Sequence, residues 1–451
     1  MDPLQRVERF AREERMFRRV SRVLAGVSGG ADSVAALLLL LRLGERLSFE
    51  VIAGHFDHLL REDSKADLEF VRELCDRLDV RCITGEGDVR SLATHERMGI
   101  EEAARRARYE FLAFAAGKES CDAVATGHTA DDQAETVLQH LVRGSGVRGV
   151  RGMLPVAPVP GAASMRLVRP LLVLRRAETV AICRDAGVDF REDVTNLDVS
   201  YRRNRIRREV LPLLRELNPS VDEALVGLAA SAREVFGAVE AAADETQPLS
   251  RGPDGVIFGL EMLEDLPAEA ITLVLEREGS FLKLVPEVNR TRLANLRQVL
   301  ERGSGRVSFG DVDVEVSCGA VRVGEPGAAA EAFGETIVNV PGTTMAGPWR
   351  IDVSTDPLPG VAPVEQVVID GARLNGVLRA RPVRPGDRVR RGRLSKKVSD
   401  LLVDEKVPIW ERRRLVAFAD RDGIVALAGS ERLPSRHVPP ESALYVRVSR
   451  R

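Results

Sequence analysis

Cysteine is scarce in this 451-residue chain, and its five cysteines are scattered without any C-x-x-C pair. A disulfide scaffold, a zinc ribbon and a thiol-redox site are therefore all disfavoured. Long apolar runs are also missing: the longest compact one, residues 34–43, includes Arg42 and is about half of a membrane span of ~18–20 residues. Residues 1–14 are charged and contain no apolar signal core. We therefore expect a cytoplasmic protein with no membrane partner.

Lysine is nearly absent as well, with 6 Lys against 60 Arg, so a single arginine says little about nucleic-acid binding. Local excess of charge says more, because the net charge of the whole chain is only −2. Residues 199–215 hold 6 Arg against one Glu, and residues 371–417 hold 14 Arg or Lys against 5 acidic residues. Two such segments predict a polyanionic partner at defined places, while solvated helix faces are the ordinary alternative.

Short apolar segments and helical patterns alternate through the first 190 residues. The expected strands are residues 22–27, 49–56, 80–84 and 122–126, and the expected helices between and after them are residues 33–43, 66–78, 101–116 and 129–143. This alternation predicts an α/β fold with a doubly wound, mainly parallel sheet. Such sheets bind their ligands at the carboxyl ends of the strands.

The character of the chain changes after Pro219. Helical spacing recurs at residues 221–242, 268–279 and 289–302, and residues 307–323 then alternate apolar and polar as antiparallel strands do. From Glu335 onward, Pro, Gly and Val punctuate short segments, which predicts a small β-rich end domain. Because the chain is too long for one ordinary core, we predict three domains at residues 1–217, 218–330 (helical) and 331–451 (β-rich).

A glycine-rich hexapeptide follows the first expected strand and opens the first expected helix. It consists of Ser28, Gly29, Gly30, Ala31, Asp32 and Ser33. Glycines let backbone N–H groups surround an anion, and the helix N-terminus adds partial positive charge. The Lys of a Walker A loop and the spacing of a dinucleotide-binding loop are both absent; the hexapeptide instead resembles the pyrophosphatase loop of enzymes that release AMP and pyrophosphate from ATP. Asp32 suits such a loop through Mg²⁺, whereas a plain strand-to-helix turn is the alternative.

A second polar segment, residues 126–136, follows the fourth expected strand. Asp132 and Glu135 are i,i+3 neighbours at the start of a helix, where they suit a magnesium site beside phosphates. His128 suits a hydrogen bond to a phosphate or to the transferring group. Helix capping by Asp132 and a solvated Glu135 are the ordinary explanations.

Residues 55–61 end the second expected strand, so they are expected to face the same crevice. His55 and His58 form an H-x-x-H pair, but a third and fourth zinc ligand are not evident among the six histidines of the chain. We therefore favour an ATP-facing place in the pocket wall for His55 over a metal site.

Two arginine-bearing segments are candidates for contact with negative charge. Arg105 and Arg108 lie in the expected helix 101–116 and either form a solvated, salt-bridged face or reach into the crevice. Asn204 and Arg205 lie in the Arg-rich segment 199–215. Arginine there is either a surface charge or a phosphate contact that stabilises a leaving pyrophosphate.

Taken together, these motifs resemble the tRNA(Ile)-lysidine synthetase family. The matching segments, in family order, are residues 28–33, 55–61, 101–109, 126–136, 143–149, 169–172 and 193–212. Residues 385–388, 395–402 and 407–412 also resemble the end domain of that family. Residues 220–330 match only in helical character, so the resemblance transfers no contact residue to them.

The resemblance implies a PP-loop fold and an ATP-dependent ligase that acts on tRNA. In that family the wobble cytidine of the CAU anticodon of tRNA(Ile) is adenylated on its C2 oxygen, and L-lysine then displaces AMP to form lysidine. The implied cofactors are ATP and Mg²⁺, and the end domain is expected to bind tRNA. The oligomeric state stays open, with a homodimer as one option.

The resemblance also implies roles for the candidate residues. The catalytic set is Asp32, His128, Arg105, Arg108, Asn204 and Arg205; the ATP-binding set is Ser28, Gly29, Gly30, Ala31, Asp32, Ser33 and His55; the magnesium set is Asp32, Asp132 and Glu135. A tRNA thiolation enzyme is the alternative within the class, but it generally needs a thiol nucleophile or Fe–S ligands near the loop. A non-catalytic ATP-dependent RNA-binding protein is the other alternative, and it has no reason to keep the acids and arginines.

Overall fold

The computed structural model describes residues 2–60, 64–191, 202–253, 255–326, 333–358, 366–391, 394–430, 432–433 and 438–450. The chain forms two compact units, Met1–Gly237 and Ala238–Arg451. Arg61 and residues 193–201 of the family-like segments lie outside the described residues. The division into three domains at 217/218 and 330/331 stays a prediction. Within the described ranges, no helix combines the length and the apolar character that a membrane crossing requires.

A six-stranded sheet forms the centre of the first unit. Its strands are β1 (Arg22–Gly26), β2 (Glu50–Asp57), β3 (Cys82–Glu86), β4 (Ala123–Thr126), β5 (Val156–Val159) and β6 (Ala162–Val168). They lie in the order β3-β2-β1-β4-β6-β5, and every neighbouring pair is parallel except β5 with β6. The four strands expected from the sequence are confirmed, and β5 and β6 extend the sheet beyond them.

Helices cover both faces of this sheet. The helices of this part of the chain are α1 (Pro3–Glu13), α2 (Ala31–Leu47), α3 (Ser64–Arg77), α4 (Val89–His95), α5 (Ile100–Lys118), α6 (Ala130–Val142), α7 (Val147–Val150), α8 (Arg176–Asp185), α9 (Arg202–Arg205) and α10 (Leu211–Leu217), followed by α11 (Val221–Glu245). Val23 and Ala25 of β1 pack in the core that contains α2, whereas Leu24 packs with Leu112 of α5 in another core. Because successive strand residues enter opposite cores, the sheet is doubly wound, as predicted.

The backbone hydrogen bonds between the central strands place the carboxyl ends of these strands side by side at one edge of the sheet. Gly26 of β1 pairs with Gly54 of β2 and with Thr126 of β4. The segments that follow these strands therefore meet at one edge of the sheet. Gly127 shows how closely they meet, because a Cβ built there would lie 2.6 Å from the backbone oxygen of Asp32.

An antiparallel sheet occupies the first part of the second unit. Its strands are β7 (Ser250–Gly252), β8 (Gly255–Gly259), β9 (Gly305–Phe309), β10 (Val312–Ser317) and β11 (Ala320–Gly324), in the order β7-β8-β11-β10-β9. Helices α12 (Ala268–Leu282) and α13 (Arg290–Arg302) supply residues to its apolar core. The expected helices and the expected alternating strands are confirmed. The region predicted as helical thus also contains a five-stranded sheet.

Two further sheets make the rest of the second unit rich in β structure, as expected. One contains β12 (Thr336–Ile337), β16 (Arg379–Pro382), β17 (Arg388–Arg391), β18 (Leu394–Lys397), β19 (Val416–Asp420) and β20 (Gly423–Ala428); the other contains β13 (Gly342–Ala346), β14 (Trp349–Ser354), β15 (Gln366–Asp370) and β21 (Ala443–Arg450). The helices α14 (Val398–Asp404) and α15 (Ile409–Arg412) lie between β18 and β19 in the chain.

Candidate functional site

The glycine-rich loop after β1 is braced by its own serines. The N–H of Ser28 donates to Oγ of Ser33 at 3.1 Å, and that hydroxyl donates to the carbonyl oxygen of Gly30 at 2.9 Å. Gly29 has a φ of +89°, a conformation that residues with a Cβ rarely adopt. Because α2 begins at Ala31, its first N–H groups, which lack partners within the helix, lie in this loop. The loop is therefore shaped to receive an anion.

His55 lies beside the loop near the end of β2. Its Nδ1 is 2.8 Å from the carbonyl oxygen of Val27. A carbonyl only accepts, so Nδ1 donates and Nε2 carries the lone pair. Nε2 is buried and has no hydrogen-bond partner among the described residues. A ligand in the crevice can donate to it, which is consistent with the predicted ATP-facing role.

Asp32, the acid of the loop, is held by two residues of α8. Nε of Arg176 donates to its Oδ2 at 2.9 Å, and Oγ1 of Thr179 donates to its Oδ1 at 2.5 Å. Burial raises the pKa of Asp32 above its ordinary value, although the charge of Arg176 opposes this. Arg176 also donates to Oδ1 of Asp132 at 3.3 Å. One guanidinium thus connects the loop acid with Asp132 of the second polar segment.

Two arginines of the segment 202–210 bind the acids of α6. Arg203 donates to Asp132 at 2.8 Å and to Glu135 at 2.9 Å. Arg207 donates to both carboxylate oxygens of Glu135, at 2.5 and 2.9 Å. Burial alone would raise the pKa of Asp132, but nearby positive charge, that of Arg203 first, holds it well below its ordinary value. Hereafter the carboxylate cluster means Asp32, Asp132 and Glu135, and the guanidinium clamp means Arg176, Arg203 and Arg207.

The sequence offers helix capping as the ordinary explanation for Asp132 and a solvated position as the ordinary explanation for Glu135. Asp132 does cap the helix, because Oδ2 accepts from the N–H and from Oγ1 of Thr129 at 2.9 and 3.0 Å. Capping and the arginine contacts use the same carboxylate. Glu135 is only 1% exposed, so a solvated position for it is wrong.

His128 lies directly after the turn that follows β4, with Nδ1 2.8 Å from Oγ1 of Thr126. Burial lowers the pKa of His128 to about 3; Asp132 opposes this shift, and Arg169 and Arg108 add to it. The imidazole is therefore neutral at physiological pH. It acts here as a hydrogen-bonding group and not as a cation.

Positively charged arginine side chains lie around the buried ring of Tyr109 on α5. Cζ of Arg105 lies 5.0 Å and Cζ of Arg108 lies 5.4 Å from the ring centroid. Nε of Arg108 and Nε of Arg169 are buried without a hydrogen-bond partner in the described part of the chain. Burial lowers the pKa of both guanidinium groups. Guanidinium groups placed in this way suit an anionic ligand.

Arg205 and Asn204 occupy a different face of α9 from the clamp. The side chain of Arg205 is 67% exposed, and its Nε donates to Glu209 at 2.8 Å. Asn204 is half-buried on the same short helix. Because side chains four residues apart share one helix face, Arg203 and Arg207 both reach α6 while Arg205, between them, faces solvent.

Sequence reasoning missed four residues of this site: Arg176, Thr179, Arg203 and Arg207. The spacing of Arg203 and Arg207 was a detectable signal, since i and i+4 share a face that excludes Arg205. No local pattern marks Arg176, because its contact with Asp32 joins residues 144 positions apart and depends on how α8 packs against α2.

The chemistry of the carboxylate cluster fits Mg²⁺, because carboxylate oxygens are the donors which that ion prefers. Within the described ranges, however, no group of three or more His, Cys, Asp or Glu side chains is arranged to hold a metal ion by itself. At nucleotide sites Mg²⁺ is usually held by one or two carboxylates together with phosphates of the substrate. The cluster fits this second arrangement.

Comparison with known proteins agrees with this geometry. A family model described as a PP-loop domain matches residues 4–214. The solved structure of a U34-tRNA thiolase from Methanococcus maripaludis covers 51% of this chain and 79% of its own, at 17% identity and a TM-score of 0.42. The match of the family model to residues 4–214 makes the first unit a PP-loop domain, an α/β module of ATP-using enzymes.

Relatives that match almost the whole chain identify the family. A tRNA(Ile)-lysidine synthase of Thermosipho africanus is 31% identical over 94% of this chain and 91% of its own length. A tRNA(Ile)-lysidine synthase of Symbiobacterium thermophilum is 32% identical over 100% of this chain and 98% of its own. The chain belongs to the tRNA(Ile)-lysidine synthase family.

Proposed function

We propose that this chain is an ATP-dependent ligase that joins L-lysine to C2 of the wobble cytidine in the CAU anticodon of tRNA(Ile), releasing AMP and pyrophosphate. The proposal rests on one observation: Arg176 donates hydrogen bonds both to Asp32, the loop acid, and to Asp132 at the carboxyl edge of the sheet. Membership of the lysidine synthase family supplies the substrates. A tRNA substrate also fits the predicted cytoplasmic location.

In the first step the C2 oxygen of the cytidine attacks the α-phosphorus of ATP, and the bond to pyrophosphate breaks. The N–H groups of residues 29–32 hold the leaving pyrophosphate, and His55 borders the nucleotide. Asp32 and Asp132 would hold Mg²⁺, which would neutralise phosphate charge when bound. The proposed cations for the developing charge are Arg203 and Arg207, together with Arg105 and Arg108; the role predicted for Arg205 is not part of this proposal, because its side chain is exposed and pairs with Glu209.

In the second step the ε-amine of lysine attacks C2 and loses a proton, and AMP leaves. His128 lies at this edge of the sheet with a neutral ring. A pKa of about 3 makes the imidazole of His128 a weak base, so it orients a reacting group by hydrogen bonding and leaves proton removal to a stronger acceptor. Reaching the crevice requires the cytidine to leave the anticodon stack.

The thiolation alternative needs an activated thiol, and one thiol does lie beside the loop. Sγ of Cys183 on α8 is 3.5 Å from the carbonyl oxygen of Ala31. Burial raises the pKa of Cys183 to about 11, so its thiolate is disfavoured at neutral pH. A buried, protonated thiol favours the ligase over a sulfur transferase.

The test is AMP release from ATP by the full chain with unmodified tRNA(Ile), with and without L-lysine. A lysidine synthase requires both tRNA and lysine for turnover, while pyrophosphate exchange into ATP requires tRNA only. A thiolation enzyme would release AMP without lysine, and a non-catalytic RNA-binding protein would release none. Absence of lysine-dependent turnover would overturn the proposal.

A further inference from the structure

The charges of the carboxylate cluster are fully matched by those of the guanidinium clamp. Arg176 spans Asp32 and Asp132, while Arg203 spans Asp132 and Glu135. Arg207 forms ion pairs with Glu135 at 2.5 Å and with Asp132 at 3.4 Å. Three carboxylates thus face three guanidinium groups, and no net negative charge is left to attract a free cation.

Burial makes this matching necessary as long as no other cation reaches the acids. Glu135 is 1% exposed and Asp132 6% exposed, and a buried carboxylate is strongly destabilising unless it is paired and hydrogen-bonded. A divalent cation that arrives alone must displace guanidinium groups that already donate to both acids. Displaced guanidiniums would then lie beside that cation without a partner of opposite charge.

A nucleotide triphosphate removes this obstacle, because its phosphates offer the clamp new partners. Guanidinium groups bind phosphate through the same two-pronged geometry with which they bind carboxylate. The arginines of the clamp lie at the start of one helix and beside or within an irregular helical turn. Arg176 is the first residue of α8, and a π-helical turn, Ile206–Val210, separates Arg203 from the rest of its helix. Turns of this kind often occur at functional sites.

We infer that the guanidinium clamp is a built-in set of counter-cations, which excludes a divalent cation from the carboxylate cluster until a nucleotide triphosphate draws the arginines onto its phosphates. The metal and the nucleotide therefore enter together. The inference rests on the proposed function only for the identity of the nucleotide, ATP.

The test measures binding of Mn²⁺ alone, as a probe for Mg²⁺, by electron paramagnetic resonance of the free ion. The full chain is titrated without tRNA and without lysine. We expect weak binding to the wild type. When a non-hydrolysable ATP analogue is present, we expect binding at least ten times tighter, after subtraction of the Mn²⁺ that the same analogue binds without protein. The double variant Arg203→Gln/Arg207→Gln should bind Mn²⁺ alone at least ten times more tightly than the wild type, because two counter-cations of its acids are gone.

Arg208→Gln is the matched control, since Arg208 is an exposed arginine of the same helical segment. It should bind Mn²⁺ as the wild type does. Arg176→Gln gives an independent route to the same gain and carries the test if the double variant fails to fold. Tight binding of Mn²⁺ alone to the wild type would overturn the inference, as would folded clamp variants without any gain. A chain that showed this order of binding but no lysine-dependent AMP release would disprove the proposed function and leave the inference standing.

Discussion

At the scale of single residues, Asp32 is a buried acid whose desolvation opposes folding and whose carboxylate is proposed to bind Mg²⁺ in the reaction. Burial raises its pKa, so the ionised carboxylate is kept against a desolvation penalty. We expect Asp32→Asn to keep the fold and to lower AMP release on the order of 100-fold or more, because an amide is a poor Mg²⁺ ligand. Thermal unfolding and AMP release at ordinary magnesium concentration measure the two effects. Near-native turnover would make Asp32 a purely structural residue.

The arginines of the segment 202–210 allow a comparison between neighbouring residues of one type. Arg203 binds two buried acids, whereas Arg205 binds only the exposed Glu209. Lysine keeps the charge but loses the planar fork, so Arg203→Lys should lower AMP release at saturating tRNA by about 10- to 100-fold. Arg205→Lys tests the contact predicted from sequence, and from its position we expect a rate within about twofold of the wild type. Equal losses in the two variants would contradict the assignment of the clamp.

His128 makes stability depend on pH in a defined direction. Its pKa is about 3 in the folded chain, while an exposed histidine titrates near ~6.5. Between these values the unfolded chain binds a proton that the folded chain does not, so stability falls as the pH falls below ~6.5. We expect His128→Asn to reduce this loss between pH 7 and pH 5, as measured by thermal unfolding at each pH. An identical pH dependence in the wild type and the variant would contradict a neutral, buried His128.

Residues of the site were predictable from sequence where the chemistry is local. The loop 28–33 and the acids of α6 follow directly after strands, so their meeting at one edge follows from the parallel sheet alone. The clamp was predictable only in part: the i,i+4 spacing of Arg203 and Arg207 places them on one face, but in a chain with 60 Arg no single arginine is distinctive. Choosing Arg203 over Arg205 requires knowing which face of α9 packs on α6.

At the scale of elements, the turn after β4 is the tightest point of the site. A Cβ on Gly127 would lie 2.6 Å from the backbone oxygen of Asp32, and backbone cannot move aside as a side chain can. Gly127→Ala should therefore destabilise the chain by about 1–3 kcal/mol. It should also weaken ATP binding, because the added methyl group would displace the backbone of the loop at Asp32. Gly117→Ala is the control, since nothing lies within 4 Å of its Cβ position on α5. Urea unfolding and ATP titration check both, and a Gly127→Ala variant as stable as the control would refute the close approach.

Elements were predictable where hydrophobic periodicity was strong and continuous. The strands β1, β2 and β4 contain short apolar runs, and the valines of β10 alternate with polar residues over five positions, so the hydrophobic period of each strand is clear. The strand β7 has only three residues, Ser250–Gly252, and none of them is a β-branched residue. Its place in the sheet is set by pairing with β8, which a local pattern does not contain.

At the scale of the whole molecule, positive charge is concentrated far along the sequence from the carboxylate cluster. The hairpin of β17 and β18 places Arg388 directly opposite Lys397. Both residues are exposed, and like charges that face each other across a strand pair are destabilising unless an anion compensates them. If the end domain binds tRNA as the sequence predicts, we expect this hairpin to be a place in the segment 371–417 where it contacts the phosphate backbone.

The double substitution Arg388→Gln/Lys397→Gln tests whether this hairpin binds phosphate. Removing one phosphate contact should flatten the log–log salt dependence of tRNA affinity by roughly 0.7–0.9, so removing two should change the slope by roughly 1.4–1.8. The rate of AMP release at saturating tRNA should stay that of the wild type, because the hairpin is not part of the carboxylate cluster or its clamp. Arg42→Gln/Lys118→Gln removes two exposed charges from the first unit and is the matched control. An equal slope in both double variants would mean that the charges of the hairpin only solvate the β-rich region.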